Sequence, residues 1–288
     1  MSTRIDYTKY NQIVVDGICS LYKKTNDINK VLEICPGFHY NEIISILTAS
    51  GIDICDEELI QFSLSDKKVM LISDTHYGSV YDNIKYAYYA FDFAKANDIK
   101  TILHGGDILE GSVRAKVGYG SEDQAEYFIR NYPHDKDIVT SAILGNHDYM
   151  AIALSDKVKS ILESREDINI LGFKKIFFGW YGKTIGMQHE IKKYKLCYPP
   201  GSFHEDLNFK GHSHAFNIKE YEQQEHICIP ALCDDPISIN TSLVEDENAL
   251  KPGFLIAENN GNYIIVTHYF FDNKKINKGK VHANILKK

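Results

Sequence analysis

The chain has 288 residues, 44% of them hydrophobic and 25% charged, with a formal net charge of −7, so it is an ordinary globular composition and not a bulk polyanion binder. No apolar run reaches the roughly 18 residues of a membrane span, and the start, Met1-Ser2-Thr3-Arg4-Ile5-Asp6, lacks the basic-then-apolar pattern of a secretory signal. The six cysteines (Cys19, Cys35, Cys55, Cys197, Cys228 and Cys233) make no C-x-x-C pair and read as small buried residues in a reducing, cytoplasmic compartment.

Residues 1 to about 65 read as helical. Tyr10, Ile13, Val14, Gly17, Ile18 and Leu21 recur at i, i+3, i+4 spacing. A second stripe, Ile28, Val31 and Leu32, stops at Pro36-Gly37, and a third, Ile43, Ile44, Ile46 and Leu47, stops at Gly51, with Asn41 as a candidate cap. Three short helices are compatible with a helix-turn-helix. Five basic and nine acidic residues give this segment 5 − 9 = −4, which argues against duplex binding and for a packing or partner-binding role. The polar break Ser65-Asp66-Lys67-Lys68 ends it, so the expected organisation is a helical segment over 1–65 and a second domain over 66–288.

From there a β/α pattern runs along the chain. Val69–Ser73 reads as a buried strand, Ile84 to Ala94 as an amphipathic helix and Thr101–His104 as a strand. Gln124–Arg130 reads as helix, 137–144 contains a strand, and Val158, Ile161 and Leu162 mark another helix. Ile168–Leu171, Ile176–Trp180, Thr184–Gln188 and Leu207–Phe209 read as strands, and 253–271 as a hairpin about Asn259-Asn260-Gly261-Asn262.

Five of these strands run directly into polar clusters. Their ends carry Asp74-Thr75-His76, Gly105-Gly106-Asp107, Gly145-Asn146-His147-Asp148, His189 and Gly211-His212-Ser213-His214. Two residues apart in extended chain, Asp74 and His76 point the same way, and strand carboxyl ends are where open α/β sheets bind ligands. The set Asp74, His76, Asp107, Asn146, His189, His212 and His214 offers carboxylate, imidazole and amide donors and no thiolate, which suits Mn, Fe or Zn. Seven donors are too many for one four-coordinate ion. They suit two ions about 3.5–4 Å apart, bridged by a carboxylate such as Asp107 and by a water whose pKa falls to about 7, giving a nucleophile without Ser or Cys. The same ions would clamp phosphate oxygens as charge develops.

In that order, the motifs resemble the calcineurin-like metallophosphoesterase superfamily, whose pattern is D-x-H, G-D, G-N-H-D/E, a lone His, and G-H-x-H. The resemblance covers about 69–271. It implies an α/β fold, a four-layer α-β-β-α sandwich of two mixed sheets carrying the N-terminal helical appendage. One metal site would take Asp74, His76 and His214, the other Asn146, His189 and His212, and Asp107 would bridge them. His147 would act near the leaving oxygen, held by Asp148. The cofactors implied are two divalent ions, Mn²⁺ first, with Fe, Zn, Ni or Mg as alternatives.

Several positions depart from the pattern. Glu190 follows His189 where many relatives have Gly, and His204, after Pro199-Pro200-Gly201, is the competing ligand. Asp107 is followed by Ile108-Leu109-Glu110-Gly111 rather than the D-R-G extension of protein phosphatases. That, with Asp148 in place of Glu, leans toward a phosphodiesterase acting on nucleotides or nucleic acid. A phosphomonoesterase is the alternative, and a non-catalytic metal-binding scaffold a distant one. Arg114 and Lys116 are candidates to grip a substrate phosphate, as are Lys192, Lys193 and Lys195, against a solvated-loop reading for each.

Overall fold

The computed structural model describes residues 11–25, 28–38, 42–43, 46–47, 50, 52, 60–112, 114–173, 175–189, 206–221, 224–234, 246–273 and 275–285. Two mixed sheets form its centre. One has six strands in the order β1 (Ile60–Leu64), β6 (Lys175–Trp180), β7 (Lys183–Gln188), β8 (Leu207–Lys210), β10 (Gln224–Cys228) and β9 (Asn217–Tyr221). The other has seven: β13 (Lys275–Ile285), β12 (Tyr263–Asp272), β11 (Gly253–Asn259), β2 (Lys68–Ile72), β3 (Thr101–His104), β4 (Val139–Leu144) and β5 (Ile168–Phe173). In the second sheet β2 through β5 run parallel, and β11 to β13 extend it antiparallel.

Side-chain alternation along β2 explains the layering. Val69 and Leu71 face the six-stranded sheet and pack with Ile176, Phe178, Trp180, Met187 and Phe209. Met70 and Ile72 face the other way, into a core with α3 (Ile84–Ala96), α4 (Ser121–Asn131), α5 (Asn146–Leu154) and α6 (Lys157–Leu162). Successive strand residues point to opposite faces, so a strand buried on both sides reads as a continuous apolar run. On β6 the same alternation sends Phe177 outward, where it packs with Ile18 and Tyr22 of α1 (Gln12–Thr25) and Ile28 and Val31 of α2 (Ile28–Ile34). Ile43, Ile46 and Leu47 complete that cluster. The N-terminal helices are therefore the outer α layer over the six-stranded sheet. Among the described residues no helix is long and apolar enough to cross a membrane.

Some local readings needed correction. Residues 60–64, expected helical, form β1 and pair parallel with β6 ahead of the residue-66 boundary. The polar cluster after Gly145, to which the sequence assigns no element, is the first turn of α5. Strands β9, β10 and β13 gave no strand signal in the sequence. The expectations at Tyr10, Asn41, Ile44, Gly51, Lys192, Lys193, Lys195 and His204 lie outside the described residues.

Candidate active site

All five clusters emerge from carboxyl ends of strands: β2, β3 and β4 of one sheet, β7 and β8 of the other. The parallel bridge Ser73↔Ala231 ties the two sheets together just before Asp74. Past their ends, β2 and β3 stay zipped, with the amides of Asp74, His76 and Tyr77 donating to the carbonyls of Gly106, Asp107 and Ile108 at 2.9, 3.2 and 2.8 Å. A glycine is required where the third loop crosses this zipper. A Cβ on Gly145 would strike the Asp107 carboxylate and amide.

The backbone is strained where donors converge. Asp74, His76, Asp107, His212 and His214 all take positive φ, between 45° and 67°. Left-handed conformations are uncommon for residues with a Cβ and cost of order 1–3 kcal/mol each. Five in one cluster mark a geometry kept for something other than stability.

Two donor groups result, meeting at Asp107. In the first, His214 Nε2 lies 3.3 Å from Asp74 Oδ1 and 3.2 Å from His76 Nε2. In the second, His189 Nε2 lies 3.1 Å from Asp107 Oδ2, 3.2 Å from Asn146 Oδ1 and 3.3 Å from His212 Nδ1. His76 Nε2 stands 3.9 Å from Asp107 Oδ2, between the groups. His189 donates Nδ1–H to the Gly105 carbonyl at 2.9 Å, which leaves Nε2 facing the centre. The structure thus brings together all seven residues singled out from sequence; His204, the competitor of His189, lies outside the described residues.

Charge balance shows what the centre can hold. Asp74, Asp107, Glu110 and Asp148 are buried acids in contact with this cluster. Burial and the Asp107 charge push Asp148 up to about 7, which leaves the first three as anions, and buried anions are costly without cations. Burial works to raise Asp74 and Asp107, but the imidazoles of His214, His189 and His76 hold Asp74 well below the usual carboxylate range, and His189 and His76 do the same to Asp107. Burial likewise works to lower His189, and the Asp107 and Asp74 carboxylates overturn it, raising it to about 10. A proton between His189 and Asp107 thus balances the buried charge. The nitrogen and oxygen donors around it fit a divalent ion, and three three-residue sets have donor atoms close enough to hold one: Asp74, His76 and His214; His76, Asp107 and His147; and Asp107, His189 and His212.

His147 behaves differently. Its amide donates to Asp107 Oδ1 at 2.8 Å, its ring donates Nδ1–H to the Glu110 carbonyl at 2.5 Å, and its side chain keeps 14% exposure. Asp148 does not hold that ring. Its carboxylate accepts the amides of Leu109, Gly145 and Ile108 at 2.8, 2.9 and 3.1 Å, strapping the first turn of α5 to the Asp107 loop. The third helical position of α5 points it back at the helix N-terminus, where a carboxylate satisfies orphan amides.

Glu110 is the site residue that sequence reasoning missed. Its Oε2 lies 3.2 Å from His76 Nδ1, and its Oε1 accepts from Arg114 Nε and the Arg114 amide, both at 3.1 Å. Burial would raise it, but His76, His147 and Arg114 bring it to about 2. The only signal was a carboxylate three residues after Asp107. Arg114 is thereby committed to Glu110. Lys116 binds Asp82 at 2.6 Å and lies over the Tyr127 ring, fastening the loop after His76.

Residues 67–269 match the calcineurin-like phosphoesterase family. No curated protein sequence matches the chain. Among solved structures, GAP50 of Plasmodium, described as the anchor in the inner membrane complex, aligns with TM-score 0.51 at 14% identity, covering 77% of this chain and 89% of that one. Vps29 of Chaetomium thermophilum aligns with TM-score 0.46 at 11% identity over 77% and 100% of the two chains. An archaeal phosphodiesterase aligns with TM-score 0.40 at 18% identity over 75% and 99%. At 14% identity the likeness to GAP50 is one of fold alone.

Proposed function

Because the chain belongs to the calcineurin-like phosphoesterase family, metal-dependent hydrolases of phosphate esters, we propose that it hydrolyses a phosphodiester of a nucleotide or nucleic acid at the Asp107 centre. The observation that carries this reading is the convergence of seven donors from five strand ends into two groups sharing Asp107. Asp74, His76 and His214 would hold one divalent ion and Asn146, His189 and His212 the other. Two such ions, manganese first, would supply an acidic water as nucleophile and positive charge against the phosphate oxygens.

The chain's own residues do the rest. His189 keeps its Nδ1 hydrogen on the Gly105 carbonyl, so an ion that displaced the proton shared with Asp107 would meet a lone pair on Nε2. Glu110 Oε2, 3.2 Å from His76 Nδ1, sets a negative charge on that side of the ring, while Nε2 faces Asp74, Asp107 and His214. His147 keeps Nδ1–H on the Glu110 carbonyl, with the Glu110 carboxylate 3.6 Å away, and in its doubly protonated form would carry a second hydrogen on Nε2 to hand to the leaving oxygen. Among the described residues a diester is favoured over a monoester, because the second charge of a monoester needs further cations. Arg114 and Lys116, the nearest by sequence, are engaged by Glu110 and Asp82. The six cysteines form no C-x-x-C pair in the sequence, which supports a reducing, cytoplasmic setting.

The test is a panel with Mn²⁺: bis-p-nitrophenyl phosphate, p-nitrophenyl phosphate, cyclic nucleotides, RNA, and single- and double-stranded DNA. Diesters should be turned over faster than the monoester, and EDTA should abolish both activities. A monoester preference would replace this reading with a phosphomonoesterase.

A further inference from the structure

Two buried polar side chains, Thr75 and His104, have no part in the reaction above, yet they join the loops that carry Asp74, His76 and Asp107. Thr75 is the residue between Asp74 and His76. His104 ends β3, three residues before Asp107.

Their hydrogens follow by elimination. The Gly106 amide can only donate, and it donates to His104 Nδ1 at 3.2 Å, so the ring hydrogen is on Nε2. That Nε2–H donates to Thr75 Oγ1 at 3.1 Å. The Thr75 hydroxyl then gives its own hydrogen to the Ile108 carbonyl, also at 3.1 Å. The relay runs from Gly106 through His104 and Thr75 to Ile108. It starts and finishes on the two neighbours of Asp107 and passes through the residue between Asp74 and His76. Every donor in it has one acceptor.

Filling this volume does not require polar atoms. An apolar pair of the same shape would leave the loops packed at little net cost, provided the Gly106 amide and Ile108 carbonyl were met otherwise. A directional relay fixes something that packing leaves loose, namely the register of one loop on the other. Here both loops are held in left-handed backbone at Asp74, His76 and Asp107 (φ 52°, 45° and 52°), a conformation that persists only when its surroundings over-determine it.

We infer that Thr75 and His104 are positioning residues that set the spacing between the Asp74–His76 pair and Asp107, and through it the affinity for the more weakly held of two divalent ions. This rests on the two-ion reading of the site. The experiment is Mn²⁺ titration of the full chain by calorimetry, with electron paramagnetic resonance of the exchange-coupled ion pair and thermal unfolding of the metal-free protein.

Thr75→Ser keeps the hydroxyl and should bind as the unsubstituted chain does. Thr75→Val keeps the shape, loses the relay, and should unfold cooperatively while binding the weaker ion ~10–100-fold less tightly, as loss of a partner behind a ligand does, with a diminished coupled signal. His104→Gln, which retains a donor for Thr75 but no acceptor placed for Gly106, should move the same way and decides the matter if Thr75→Val does not fold. A folded Thr75→Val (or, in its place, His104→Gln) with unchanged affinity and unchanged coupling overturns the inference. So does Thr75→Ser failing as badly as Thr75→Val. An unsubstituted chain that takes up fewer than two ions overturns the reading of the site and this inference with it.

Discussion

Replacing Asp148 by Ala separates a structural role for this carboxylate from a catalytic one. Asp148 is buried and accepts three backbone amides, from Ile108, Leu109 and Gly145. Its removal strands three donors in an interior where Ile108 and Leu109 are fully buried. An unsatisfied buried donor costs about 1–3 kcal/mol, and a carboxylate lost from a helix N-terminus about another 0.3–1 kcal/mol. Taking the low end for each amide, because water can enter the space left by the carboxyl, the loss is about 4 kcal/mol. At roughly 2–4 °C per kcal/mol for a chain of this size, Tm should fall by about 8–16 °C. The assay is thermal unfolding of Asp148→Ala beside His147→Ala, whose partly exposed ring should cost little stability. If Asp148→Ala melts with the unsubstituted protein yet loses turnover as fully as His147→Ala does, Asp148 acts through the imidazole and the strap is not its role.

His147→Ala should take up metal normally and lose ~10²–10⁴-fold in kcat, the usual worth of a positioned proton donor; metal analysis showing a lost ion would make His147 a ligand. Outside the centre, His268 stacks on Phe216 with ring centroids 4.5 Å apart, and neither ring nitrogen has a hydrogen-bond partner among the described residues. Burial, opposed by Asp246, pushes it from 6.5 down to about 4. The unfolded chain therefore binds the proton more readily, so His268 adds stability fully above pH about 6.5, and that contribution is lost as pH falls to about 4. The loss is worth roughly 3 kcal/mol. Denaturant unfolding of His268→Phe across that range should show a flatter pH slope; an unaltered slope would remove His268 from the acid response.

What the sequence disclosed and what it hid follow from the range of the interactions. Thr101–His104 and the hairpin at Asn260-Gly261 were legible because their patterns are local: an apolar run before glycines, and turn residues between alternating strands. The seven donors were legible because each sits at a strand end. By contrast β13 is a lysine- and asparagine-bearing edge strand, and edge strands carry such residues as protection against pairing, not as a strand signal. The first turn of α5 gave no helix signal because its opening residues, Asn146-His147-Asp148, are polar and are spent on the Asp107 loop. The partners of Asp148 and Glu110 are tertiary, set by how the β3 loop lies on α5. A Glu three residues after an Asp carries no trace of the His76 that it faces.

The most direct test of the central claim is metal content against activity in one titration. Metal-free protein given Mn²⁺ should bind two ions per chain, with bis-p-nitrophenyl phosphate hydrolysis following occupancy of both. Asp107→Ala, which removes the carboxylate common to both donor groups, should bind at most one ion tightly and show no turnover. Full activity at one ion per chain, activity that survives EDTA, or an Asp107→Ala variant that binds and turns over as the unsubstituted chain does would contradict a reaction run at two ions joined by Asp107.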